Sequence, residues 1–434
     1  MTDFIGSPWP AYAALVIVTL GSRVRCGSWF APAAFVGLVW SFFTGVSLLV
    51  VDYPVPGRGL WMLVFLIIAI QLGALIAHEL QPPTRPAGNN ELDSLIVPCR
   101  RHGLLCTAIA LVGCVYFLFT SLTDFGLPFT PLGVLEVGAK WTRLRYDDAV
   151  EPWSVRLLVT WVHPAGLLGG VLFACSRRRL DRAIGLMTLL PAVVYGILTG
   201  ARAAILLGLT CWIGGYVATR CVRNHGRLAM FTAKRLALLL FTALSMVGVF
   251  GGIDAVRDSS SLQAFVFGVQ GQKLSNYIFG PPAAFADWYA HADVSGAEWG
   301  ARTFAGEFDV LHFRTRTVGR YTETSNVVGT EVTNVYTLFR GLIEDFTVFG
   351  AVLIAACIGG FAGRVYTGPG NARHTLFWLS AFFAAFLYSP IVSLFSFNGA
   401  ALAWAVGWLV LVRVKRQRSF YLLPRLTDRK ATTL

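Results

Sequence analysis

Uncharged apolar runs of about bilayer length recur along this chain, separated by segments into which the charges are gathered. Eleven such runs stand out, at roughly 8–22, 29–50, 59–78, 103–122, 154–175, 183–200, 202–219, 236–252, 346–363, 375–392 and 395–412. They lack the alternation of barrel strands, and in lipid a helix satisfies every backbone group within its own segment. The pattern therefore predicts an all-α polytopic membrane protein of about 11 transmembrane helices. Helices one to eight occupy 1–252 with an outer loop at 123–152. A large outer loop of short helices and a rim helix follow at 253–345, then helices nine to eleven at 346–412 and a basic tail at 413–434.

Composition agrees, since 55% hydrophobic residues, 14% charged residues and a mean hydropathy of +0.62 exclude a single water-soluble globule. The net charge of +13 is an orientation signal. Most Lys and Arg fall on one side if the C-terminus is cytoplasmic and the N-terminus outside, the tracts being Arg177–Arg182, Arg220–Arg235 and Arg413–Arg418. These tracts suit anionic lipid and give no reason to invoke nucleic acid. The start Met1–Trp9 has no basic residue ahead of the first run, so that run reads as a retained span rather than a cleaved signal. All eight cysteines lie in expected spans or inner segments, which argues against a disulfide framework. The inner segment Glu79–His102, rich in Pro and Asn, reads as a linker without a fold of its own.

The chain changes character at Ser325–Tyr366, where a polar half with Asn326, Glu331, Asn334, Tyr336, Arg340, Glu344 and Asp345 runs directly into the apolar segment 346–363. A helix over Val335–Asp345 would stack Tyr336, Arg340 and Glu344 on one face, as a site at the membrane rim or as a plain interfacial ion pair. In the 123–152 loop, KWTRLRYDD carries Trp141, Arg143 and Arg145, suited to a sugar or phosphate and equally to an amphipathic rim helix. Arg202 sits at the outer mouth of span seven with no acid in its own loop, so it pairs elsewhere, binds a phosphate, or snorkels. His163 lies at membrane depth beside Pro164, where a neutral hydrogen-bonded histidine is the plain reading.

The large loop holds LHFRTRTVGRYTET, with His312, Arg314, Arg316 and Arg320 within nine residues. If extended, it presents His312, Arg314 and Arg316 to one side, a general-base candidate beside fixed positive charge; a solvated basic loop is the alternative. Glu307-x-Asp309 has the spacing of an acidic metal pair but no third ligand, and no metal or other cofactor is called for. The chain also lacks a phosphate-binding Gly-Lys loop, a GxSxG elbow and an inner segment long enough for a nucleotide.

Two stretches, TNVYTLFRGLIEDFTVFG at Thr333–Gly350 and TGARAAILLG at Thr199–Gly208, together with the span layout and single large outer loop, resemble the bacterial oligosaccharide repeat-unit polymerases, the Wzy-type O-antigen and exopolysaccharide polymerases. Thr347 and Val348 stand where a glycine is expected after Asp-Phe. The resemblance implies a GT-C-like glycosyltransferase of the bacterial inner membrane, with its outer loop on the periplasmic side over a lipid-open cavity. It would pass a growing glycan from polyprenyl diphosphate to a sugar hydroxyl of an incoming lipid-linked unit, without a metal. A flippase and a chain-length regulator would be its partners, beside membrane lipid. Chemistry then suggests roles: Arg202, Arg314, Arg316, Arg320 and Arg340 for the diphosphate, His312 as base with Glu331, Glu344 or Asp345 as alternatives, and Asn334, Tyr336, Arg143 and Arg145 for the sugars. A ligase sharing the same donor, a transporter of lipid-linked glycans and a scaffold are the competing readings.

Overall fold

In a computed structural model of the chain, the described residues are 6–51, 53–81, 89–146, 151–224, 277–292, 296–313, 321, 325–328, 331–368 and 371–413. The elements are α1 Pro8–Cys26, α2 Pro32–Val50, α3 Gly57–Glu79, α4 Asn89–Asp93, α5 Ile96–Asp124, α6 Pro131–Tyr146, α7 Trp153–Val159, α8 Val162–Cys175, α9 Arg179–Met187, α10 Leu190–Thr199 and α11 Arg202–Arg223. They continue with α12 Pro281–His291, α13 Ala305–Val310, a hairpin of β1 Ser325–Val328 and β2 Glu331–Thr333, α14 Leu338–Thr367, α15 Ala372–Tyr388 and α16 Asn398–Gly407, which runs on as a π-helical turn to Arg413.

Seven described segments are long and apolar enough to cross a membrane: Pro32–Val50, Gly57–Glu79, Glu91–Asp124, Trp153–Cys175, Arg179–Thr199, Arg202–Arg223 and Leu338–Thr367. The fold is that of a helical, membrane-embedded protein. Pro8–Cys26, Ala372–Tyr388 and Asn398–Arg413 are helical at three further expected spans, but are shorter or less apolar; the run 236–252 lies outside the described residues.

Between lipid-solvated helices burial of apolar surface supplies little drive, so close backbone approach has to supply the contact. Glycine provides it where α14 meets α3: a Cβ at Gly359 would collide with the Ile70 carbonyl, one at Gly363 with that of Ala74, and one at Gly73 with that of Ala356. The α8 and α11 pair is built alike, with Gly166 against Gly208 and Gly170 against Trp212, which makes the two helices parallel. Gln71, fully buried on α3, adds a polar tie by donating from Nε2 to Thr19 Oγ1 of α1 and to the Ala33 carbonyl of α2, both at 3.2 Å. Helix α15 runs antiparallel to α11, since Gly214 faces Ser380 and Ala384 while Leu207 clusters with Tyr388. The start of α11 and the end of α15 therefore share one end of the bundle, and the Leu338 N–H of α14 reaches the Ser389 carbonyl there at 2.9 Å.

Three details differ from the sequence reading. The inner segment 79–102 is not featureless: α4 and the start of α5 bury Leu92, Leu95 and Cys99 at helical spacing in the main core. The polar stretch contains a hairpin, with Ser325 opposite Thr333 and Asn326 opposite Val332, where β-branched residues flank Gly329-Thr330. Helix α14 begins at Leu338 rather than Val335, so Tyr336 precedes it in extended chain.

The polar and apolar parts of α14 are separated by a break at Thr347, whose backbone sits at φ 60°, ψ 175°. Only glycine enters that region freely, and a β-branched residue held there costs about 1–3 kcal/mol. The conformation expected of a glycine is thus present, borne by threonine. Thr347→Gly should raise the thermal unfolding midpoint of the detergent-solubilised protein, because the strain released exceeds the roughly 0.5–1 kcal/mol of added backbone entropy. A midpoint lowered by several degrees would show the threonine to be unstrained or its side chain indispensable.

Candidate functional site

Just before the break, the end of the polar half of α14 is stitched to Glu298–Thr303. The Glu298 and Trp299 N–H groups donate to the carbonyls of Glu344 and Asp345, each at 3.0 Å. The Asp345 carboxylate, wholly buried, accepts the N–H of Arg302 at 3.0 Å on one oxygen and that of Thr303 at 2.6 Å on the other. From the far side, Ser396 Oγ donates to the Arg302 carbonyl at 3.1 Å and Ser393 Oγ to that of Thr303 at 2.8 Å. Asp345 is thereby engaged as a backbone latch that holds Arg302 in place.

Arg340 and Glu344 do share a face, as their spacing predicts: Arg340 Nε donates to Glu344 Oε1 at 2.8 Å. The guanidinium is enclosed by three aromatic rings, its Cζ lying 3.6 Å from the centroid of Tyr321, 4.2 Å from Tyr336 and 4.8 Å from Trp288. These come from three places, the loop before β1, the chain ahead of α14, and α12. Arg340 is only 3% exposed, and cation–π contact with a carboxylate partner is what lets a cation persist at that burial. Arg302 joins the same network, its Nε 3.8 Å from Glu344 Oε2 and a terminal nitrogen 3.1 Å from Glu298 Oε1. Burial, with the Glu344 charge adding to it, pushes the Tyr321 phenol well above its usual range, so it stays a neutral donor. Two guanidinium groups thus share one carboxylate and one ring at the end of an apolar helix.

The segment after Arg302 continues into α13, seated so closely that a Cβ at Gly306 would meet the backbone of Phe397 and Asn398. Asp309 is engaged there, accepting from Asn398 Nδ2 at 2.6 Å. Glu307 is different: both carboxylate oxygens are buried and have no hydrogen-bond partner among the described residues. Burial pushes its carboxyl up to about 7, the range in which a group can both accept and return a proton. On the other side of this turn the His163 ring packs on Gly399, with Nδ1 3.2 Å from the Thr160 carbonyl and Nε2 buried without a partner among the described residues.

The other expected residues are dispersed. Arg202 is buried at the start of α11 with its Cζ 5.3 Å from the Tyr277 ring. His312 is exposed in the turn that closes α13, at φ 56°, its N–H donating to the Asp309 carbonyl. Arg143 is exposed on α6, whose Trp141 is spent on packing, its Nε1 donating to Ser121 Oγ at 2.8 Å. That segment is a helix laid on α5 and α10, with Val137 and Trp141 in the second core cluster. Asn334 is half-buried beside Tyr336. The backbones of Arg145 and Glu331 lie in α6 and β2, but their side chains, like Arg314, Arg316 and Arg320 entirely, lie outside the described residues. Sequence reasoning gave no role to Trp288, Tyr321 or Arg302, and weighed Glu307 only as half of an acidic metal pair with Asp309. For Glu307, a signal existed in an acid flanked by Phe304, Phe308 and Val310 in an otherwise polar loop.

Compared with known proteins, the chain matches no family model, no curated protein and no solved structure.

Two outcomes follow from this geometry. Asp345→Asn should lower stability by about 1–3 kcal/mol, since an amide sets a donor against one of two buried N–H groups; an unchanged thermal unfolding midpoint would refute the latch. Glu307 ionises at about 7 in the fold against 4.5 when unfolded, so the folded state binds the extra proton between those values. Its contribution is full below about pH 4.5 and is lost as pH rises through 7. A stability profile that falls across this window in the parent and flattens in Glu307→Gln is expected; parallel profiles would contradict it.

Proposed function

We propose that this chain is a membrane glycosyltransferase that polymerises polyprenyl-diphosphate-linked oligosaccharide repeat units at the outer face of a bacterial inner membrane. The observation that carries the reading is the Arg302–Glu344–Arg340 cluster in its aromatic box, set where a polar helix breaks into an apolar one. In this reading the chain crosses the membrane eleven times, with its N-terminus periplasmic and its C-terminus cytoplasmic.

In the reaction, a hydroxyl of the incoming unit attacks the anomeric carbon of the growing chain, the bond from that carbon to the diphosphate oxygen breaks, and the hydroxyl proton goes to a base. Negative charge grows on the diphosphate, so fixed cations in a poorly solvated place lower the barrier. Arg340 and Arg302 meet this need when a diphosphate takes the position of their shared carboxylate; until then Glu344 keeps both groups aligned. Arg202 supplies a further cation at the same end of the bundle. For the proton, Glu307 fits better than His312, because it is sheltered and titrates near neutrality whereas His312 faces solvent. No metal is required in this scheme.

Chain extension in a deletion strain, read as polymer length on a gel, tests the proposal. Arg340→Ala and Arg202→Ala should abolish extension with the protein still present in the membrane, and Glu307→Gln should reduce it by at least tenfold. Full-length polymer from both arginine variants overturns the assignment. Single repeats on the surface of the deletion strain support a polymerase, whereas lipid-linked repeats trapped inside would make the chain a transporter.

A further inference from the structure

At the other end of α8 and α11, away from Arg202, a cavity of about 300 Å³ is lined by Asp93, Ser176, Arg177, Arg182, Arg220 and Arg223 among others. Four guanidinium groups meet one carboxylate there. Arg223 consumes that carboxylate, pairing with Asp93 while donating to the Ala174 and Cys175 carbonyls that end α8, at 3.2 and 2.9 Å. The nearby acid Asp181 is engaged as well, by Arg100 at 3.3 Å and by Ser176 Oγ at 2.8 Å. Arg182 donates from Nε to the Ser176 carbonyl, which fixes its direction without neutralising it.

That leaves Arg177, Arg182 and Arg220 around one small cavity with no acidic partner among the described residues. Arg220 is the most telling: its Nε is buried and has no hydrogen-bond partner among the described residues. A buried, charged N–H donor without an acceptor is costly, and an entering anion removes that cost. The polar lining suits an oxyanion rather than an apolar ligand, and forked guanidinium donors match phosphate oxygens. The volume is at the small end of ligand sites, enough for one phosphate group with its nearest substituents. The cavity also lies where two apolar segments of membrane-spanning length, Trp153–Cys175 and Arg202–Arg223, stop together, an end that a bilayer around them would bring within reach of lipid phosphates.

The geometry points to an anion site here that takes a phosphate group, presented by a lipid headgroup or as free phosphate, between the ends of α8 and α11. It stands independently of the glycosyltransferase reading, since none of its residues belongs to that site.

Thermal unfolding of the full-length protein in neutral detergent tests it, with phosphatidylglycerol, phosphatidylcholine or inorganic phosphate added at matched ionic strength. A rise of several degrees with phosphatidylglycerol but not phosphatidylcholine, at least halved in Arg220→Gln, identifies a lipid phosphate as the ligand. A rise with inorganic phosphate that disappears in Arg220→Gln identifies a soluble one. If Arg220→Gln unfolds early without any addition, Arg182→Gln at the exposed rim gives the same reading without touching the buried wall. No shift with either ligand, or a shift that neither variant diminishes, overturns the site.

Discussion

Two backbone N–H groups, those of Arg302 and Thr303, end on the carboxylate of Asp345, and the arrangement of the whole site follows from that attachment. Asp345 lies two residues before the break at Thr347, so it joins the loop to α14 where that helix changes direction. With the loop attached there, Arg302 is brought to Glu344, and the chain beyond it enters α13 with Glu307 turned into the protein. A carboxylate binding two backbone donors is stronger than neutral pairs and admits little sliding, which suits a part that must locate charges to within hydrogen-bond reach. The strained threonine beside it is a cost the rest of the structure has to outweigh.

Burial of Arg340 has two consequences that pull in opposite directions. Enclosure by Trp288, Tyr321 and Tyr336 weakens its contact with water, which makes any anion it meets in that box bind more strongly than at the surface. The same enclosure makes an unpaired state expensive, so the side chain is held by Glu344. A cation of this kind serves exchange between an internal carboxylate and an incoming anion, and is a poor free-standing electrostatic lure. The exposed Arg143 has the opposite properties, being accessible but screened by solvent.

How much of this the sequence disclosed depends on the distance over which each signal acts. The long apolar runs were legible because the bilayer imposes both their length and their lack of charge, and the pairing of Arg340 with Glu344 because helix geometry carries it over four residues. The aromatic box was hidden, since Trp288 and Tyr321 reach Arg340 through tertiary folding and no local period announces them. Asp345 looked like chemistry because an acid beside an apolar span usually does, and only the hydrogen bonds from a distant loop reveal a latch. The helical start of α5 was obscured by the prolines and asparagines ahead of it, although Leu92, Leu95 and Cys99 carried the helical spacing. The basic run around Arg316 belongs to residues outside those described, and His312 at its edge faces solvent.

Helix α11 connects the two ends of the molecule, and its length explains why arginines occur at both. Its 22 residues make a helix about 33 Å long, close to the roughly 30 Å of a bilayer's hydrocarbon core. Arg202 at its start and Arg220 and Arg223 in its last turn are thus separated by about the thickness of a bilayer core, a spacing that suits long cationic side chains reaching its two boundaries. The two ends then diverge through their neighbours. At the first, the carboxylates of Glu298 and Glu344 and a set of aromatic rings gather around Arg302 and Arg340, while Arg202 lies against the Tyr277 ring. At the second, Asp93 pairs with Arg223 alone among the four arginines around a cavity. Excess positive charge around an open cavity calls for an anion from outside the chain, whereas balanced charge inside a closed box calls for one that can compete with an internal carboxylate.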